Sequence, residues 1–117
     1  GGGEGEENAM DARCIAALMA CLGDAHLRFE EWHSVVEAGK RARAKAQSLN
    51  HARIMCKGSY LIGYGYMMIG SLREAEVWLS RCHAECIQGN FHNSRAYLLL
   101  ALGDLALRQS QLVAFKG

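Results

Sequence analysis

Three Leu-Gly or Ile-Gly pairs, Leu22-Gly23, Ile62-Gly63 and Leu102-Gly103, recur at intervals of 40 residues. That interval restricts the fold more than any other feature of the chain. A fixed period of this length marks a unit that cannot bury its apolar face alone and stacks on its neighbours. Laid at the same offset, Arg13 matches Arg53, Ala16 matches Ala96, Asp24 matches Asp104, Asn50 matches Asn90, and Ala42 matches Cys82. The best-formed copy is Cys56–Cys82. It reads as a helix, a stop at Gly70, and a second helix opened by Ser71 with Glu74 three residues on, the pattern of a capping box. Gly58, Gly63 and Gly65 lie inside the first of these helices, where each costs about 1 kcal/mol relative to alanine. Close approach of a neighbouring helix is the natural compensation.

In chain order the pattern predicts an all-α protein of about two and a half helix pairs, with five helices and a partial or merged sixth. Residues 1–7, GGGEGEE, read as a flexible acidic tail, and 8–117 as the helical repeat domain. The first helix is expected to start at Asn8 and to bury Ile15, Leu18, Met19, Leu22, His26 and Phe29. The second carries Trp32, Val35, Val36, Gly39, Ala42 and Ala46. Asn50 is the expected cap of the third, which buries Met55, Gly58, Ser59, Ile62, Tyr66 and Ile69. The fourth turns Leu72, Ala75, Leu79, Cys82 and Cys86 inward and ends at Gly89-Asn90. The fifth runs through Arg95, Leu98, Leu99, Leu102, Ala106 and Gln109. The register places a sixth start near Ser110, but the segment left is barely two turns, too short to be stable alone. The other expectation is a fifth helix running on to about Phe115.

This pattern resembles the tetratricopeptide repeat. The second copy supplies Ile62-Gly63, Tyr66, Gly70, Leu72, Ala75, Leu79 and Cys82 where that family has its Leu-Gly pair, aromatic, turn glycine and small helix B residues. The first copy supplies Leu22-Gly23, His26, Trp32, Val35 and Ala42, with Glu30 at the turn glycine and Gly39 at a large residue. The third keeps Leu102-Gly103 and then departs, with Ala106 and Ser110. The interval is similar to that of the longer repeats in Pins/LGN-type polarity adaptors, rapsyn and the kinesin light chains. The resemblance implies a right-handed solenoid of antiparallel helix pairs that binds a peptide or helix of a partner protein in a concave groove lined by the A helices. By the family's pattern the groove residues are Asp24, Leu27 and Arg28, then Tyr64, Met67 and Met68, then Asp104, Leu107 and Arg108. One and two turns earlier lie Tyr60, Lys57 and Tyr97. Asp24 and Asp104 beside Tyr60 and Tyr64 suit a segment with apolar anchors and a basic residue.

A second expectation is self-association. With no full sixth helix, Leu98, Leu99, Leu102, Leu105, Val113 and Phe115 are left as an uncapped apolar end that a second copy can cover. A third is contact with nucleic acid or an acidic partner through the basic run Lys40, Arg41, Arg43, Lys45, Arg53 and Lys57. Against it, no aromatic residue is interleaved among the first four, and the cations also suit a solvated helix end. The overall balance, 13 Lys and Arg against 12 Asp and Glu, gives a net charge of only +1 and no bulk attraction to polyanions or membranes.

An odd set of five cysteines without disulfide-framework spacing points to a reducing, cytoplasmic or nuclear location. The apolar run Tyr60–Ile69 is too short to span a bilayer, and no signal-like segment precedes Asn8. Cys82 and Cys86, with His83 and His92 nearby, suggest a metal cluster. The repeat register favours a different role, because Cys82, Cys86 and Cys56 align with Ala42, Ala46 and Ala16, as buried hydrophobes do. The histidines share no common role, and no nucleophile elbow, phosphate loop or His-Glu-x-x-His helix occurs. No metal, cofactor or catalytic residue is expected, and the chain reads as a binding scaffold rather than an enzyme.

Overall fold

The computed structural model describes residues 2–116, with side chains from Ala12 to Phe115. Those residues form five helices and no strands: α1 (Gly2–Arg28), α2 (Trp32–Ser48), α3 (Ala52–Ile69), α4 (Leu72–Gly89) and α5 (His92–Lys116). Each helix packs on the next in sequence. Helix α3 also touches both α1 and α5, and α2 reaches α4 through the Arg43 side chain. The body is elongated, with extents of 65 × 28 × 19 Å.

The 40-residue interval resolves into two 20-residue steps, each closed by the same backbone device. Glu30, Asn50, Gly70 and Asn90 all adopt positive φ, at 58°, 56°, 99° and 55°. One residue after each, an amide donates back to a carbonyl of the helix just ended: Glu31 to His26, His51 to Ala46, Ser71 to Tyr66 and Phe91 to Cys86, at 2.8–3.0 Å. This six-to-one bond with a left-handed residue beneath it is a Schellman ending, which satisfies carbonyls the helix leaves open. The next closure would fall at Ser110, but α5 continues through it to Lys116. The sixth helix is therefore merged into the fifth.

Several expected details differ. α1 begins at Gly2 rather than Asn8, and no proline interrupts the segment. The side chains of residues 1–11, the expected tail included, lie outside the described residues. Asn50 closes α2 instead of capping α3; the cap is His51, whose Nδ1 accepts from the Ile54 amide at 3.3 Å. Ser71 occupies the N-cap of α4 but makes no side-chain capping bond, so the expected box with Glu74 is not formed.

The buried face of α1 is also rotated from the expected one. Ala16, Ala20 and Gly23 face inward, while Ile15, Leu18, Leu22 and Phe29 are exposed. The reason is visible one repeat on. Ile62, the counterpart of Leu22, is fully buried because α2 covers that side of α3, with Gly39 against it. Among the described residues no helix precedes α1 to cover Leu22.

Glycines set the closeness of α2 and α3. A Cβ on Gly58 would lie 2.8 Å from the Arg43 Cβ and 2.9 Å from the Gly39 carbonyl oxygen, and one on Gly65 only 2.6 Å from Val36. Gly63 fits against Leu79 of α4 at 2.7 Å in the same sense, whereas Gly103 faces nothing within 4 Å. The core below runs from Cys56 and Met67 through Ala75, Leu79, Cys82 and Cys86 to Leu98, Ala101 and Leu105.

Candidate binding cavity

Asp24, Leu27 and Arg28 from α1, Cys56, Lys57 and Tyr60 from α3, Cys82 from α4, and Ser94 and Tyr97 from α5 enclose a cavity of about 430 Å³. Its walls are the odd-numbered helices, and α4 contributes to the floor. Lys57 and Tyr60, followed by Tyr64, are spaced three to four residues apart and so share one face of α3. The Lys57 ammonium lies 2.8 Å from the Asp24 carboxylate and ties α1 to α3 across the opening. Tyr60 stacks on Tyr64 with ring centroids 5.7 Å apart, and Tyr64 meets Trp32 of α2 at 5.9 Å, continuing the aromatic row toward the α1–α2 turn. Burial, reinforced by its neighbours Tyr64, Cys82 and Asp24, pushes the Tyr60 phenol up to about 12, so it remains a neutral hydrogen-bonding group. Tyr97 is 66% exposed at the rim.

Asp24, Leu27, Arg28, Lys57, Tyr60 and Tyr97 thus meet at one cavity. The remaining expected groove residues are placed elsewhere. Met67 is fully buried in the core, so it offers no groove surface. Tyr64 and Met68 are half-buried and pack against that core rather than lining the cavity. Asp104 accepts from Arg108 one turn later at 2.9 Å, and neither lines the cavity. Cys56, Cys82 and Ser94 belong to the lining and were not anticipated there. Cys56 precedes Tyr60 by one helical turn, a spacing that signals a shared face.

Beneath the cavity three thiols meet. The Cys56 sulfur lies 3.7 Å from that of Cys82 and 3.1 Å from that of Cys86, and all three sulfurs fall within 4.8 Å of one another. The grouping of Cys82 and Cys86 with His83 and His92, set aside on the repeat register, leaves out Cys56, which only the pairing of α3 with α4 brings in. As thiols, Cys56 and Cys82 reach each other's backbone carbonyls at 3.8 and 3.5 Å. Hydrogen bonding from Cys82 and Cys86 holds the Cys56 thiol below its ordinary value. The bond to Cys56, then burial, raises Cys82; burial, then Cys56, raises Cys86.

One turn from this cluster, Arg43 of α2 donates to the Ser59 hydroxyl at 3.0 Å. The Ser59 Oγ lies 2.6 Å from the Glu85 carboxylate, which also faces Arg43 at 3.7 Å. This largely buried network joins α2, α3 and α4. Arg43 also lies over the Trp78 ring, Lys40 over Tyr66 and Arg53 over Phe91. Four cations of the basic run, counting Lys57, are therefore engaged within the fold.

On α5, Leu98 and Leu105 are buried against α4, so they cannot form the free apolar end expected of them. Leu102 is half-buried. Leu99, Leu100, Leu107, Val113 and Phe115 are exposed. By length and composition α5 over His92–Phe115 would suffice to cross a membrane, and 17% of its most apolar stretch is buried. Comparison with protein-family models, with curated proteins and with solved structures gave no match.

Proposed function

We propose that the chain is a tetratricopeptide-like binding module, not an enzyme, and that it holds a segment of a partner protein in the cavity between α1, α3 and α5. The observation that carries this reading is the convergence of Asp24, Leu27, Arg28, Lys57, Tyr60 and Tyr97 on one cavity of about 430 Å³. A mostly preformed cavity with an apolar floor and a few polar groups at its edge is the usual form of a specific site. The charges refine the expected occupant. Lys57 already neutralises Asp24, which leaves Arg28 as the exposed cation of the lining. An apolar anchor next to an acidic group complements this better than the basic residue expected from Asp24 and Asp104.

Capture of partners by the intact chain, compared with Arg28→Glu and Tyr97→Ala, tests the reading. Both residues are exposed, so the fold should survive. A bound protein lost from both variants is the expected outcome. Capture unchanged by either would overturn the assignment.

The exposed leucines of α5 favour a second reading, association of two copies along that helix. Light scattering is expected to give a mass above 12.8 kDa that falls to the monomer value in Leu99→Glu/Val113→Glu. A strict monomer at high concentration would remove this reading.

A further inference from the structure

We propose that Cys56, Cys82 and Cys86 form a three-thiolate site for a thiophilic metal ion of the zinc type, with its fourth coordination position open to the cavity. The ligands come from two helices. Cys82 and Cys86 are one turn apart on α4, and Cys56 faces both from α3. Sulfurs bound to zinc at about 2.3 Å with tetrahedral angles stand roughly 3.8 Å apart. The Cys56–Cys82 separation of 3.7 Å already fits, and the Cys56–Cys86 separation of 3.1 Å must open by several tenths of an ångström.

Three further features match what such a site needs. Soft thiolates select thiophilic ions over hard ones. The helices carrying the sulfurs are fixed relative to one another by Ser59 and Glu85 one turn away, with Arg43 bracing both, so the ligands do not have to be gathered at the moment of binding. Cys56 and Cys82 also form part of the cavity wall, which gives an ion a way in and leaves room for water or a partner side chain as the fourth ligand. Packing alone explains one buried cysteine in place of alanine. It does not require three at positions whose repeat counterparts, Ala16, Ala42 and Ala46, are fully buried alanines.

The repeat also makes the test clean, because alanine is already accommodated at the equivalent positions. Cadmium serves as the spectroscopic probe and zinc as the competitor, added to the intact chain under a phosphine reductant. Native mass spectrometry is expected to show one ion per chain, with a thiolate-to-cadmium charge-transfer band that zinc displaces. Cys56→Ala and Cys86→Ala should each lose the band, and Cys14→Ala/Cys21→Ala should keep it. A second readout does not depend on the variants folding: bound cadmium should protect Cys56, Cys82 and Cys86 of the unmodified chain from alkylation. A reduced, helical chain that binds no stoichiometric cadmium would overturn the proposal. So would a band that survives loss of Cys56 or Cys86, or protection confined to Cys14 and Cys21.

Discussion

The α2–α3 and α4–α5 interfaces occupy equivalent places one repeat apart, yet they are built on opposite plans. Gly39, Gly58 and Gly65 stand in the first; their counterparts in the second are Leu79, Leu98 and Leu105, all buried. Without side chains, α2 and α3 approach until the Gly39 carbonyl oxygen lies 2.9 Å from where a Cβ on Gly58 would stand. With leucines, α4 and α5 fill the same space by interdigitation and pack less closely. One interface gains backbone dispersion contacts at the expense of helix propensity; the other gains apolar burial and keeps the propensity. A common repeat therefore specifies where helices meet without specifying how near. At the equivalent positions, the space that backbone occupies in one interface is occupied by leucine side chains in the other.

Moving one plan into the other should break it. Gly58→Leu places a side chain where even a Cβ is 2.9 Å from a carbonyl oxygen. Overpacking against backbone cannot be relieved by a rotamer change, and a loss of more than about 3 kcal/mol is expected. Urea denaturation followed by circular dichroism would read it, and a loss below 1 kcal/mol would show the interface to be plastic. Leu98→Ala in the other interface should cost roughly 2–4 kcal/mol, from transfer plus cavity.

The Leu-Gly pairs sharpen the same contrast. Gly63→Ala should destabilise by about 1–2 kcal/mol, since its Cβ would meet Leu79 at 2.7 Å and the Leu79 amide nitrogen at 3.1 Å. Gly103→Ala meets open space and should stabilise by up to about 1 kcal/mol through propensity alone. Equal effects at the two sites would mean that Gly103 is covered in solution, as self-association along α5 requires. The smallest effect is expected at Glu30, a residue with a Cβ penalty at φ 58° where two other closures use asparagine. Glu30→Asn should raise stability by about 0.5 kcal/mol, detectable as a shift in the urea midpoint.

Helix number, helix order and the 40-residue step were legible because they depend on local pattern. Gly70 and Asn90 announce their closures by residue type. Glu30 conceals its own, and Asn50 suits a cap as well as a left-handed closure, which is how the start of α3 was misplaced by one residue. The inner face of α1 was misread because apolar content does not tell which side a neighbour will cover. Ile62 and Leu22 share a register position, and among the described residues only Ile62 has a helix over it. The cavity was half legible: residues one turn apart on α3 declared a common face, but burial of Met67 depends on how deeply α4 and α5 seat. The thiol cluster was not legible at all, since Cys56 joins Cys82 and Cys86 across 26 and 30 residues of chain.

The four identical closures, 20 residues apart, give the architecture a parity. Each helix-and-turn is satisfied by its own backbone, so the chain counts in half-units. Inserting a whole pair of helices would leave every later helix on its original side, whereas inserting a single one would exchange inside for outside from that point on. Tyr97 would then leave the cavity, and Leu98 would leave the core. Even steps added beyond these helices would keep the sidedness on which the cavity depends, whereas an odd step among them would invert it.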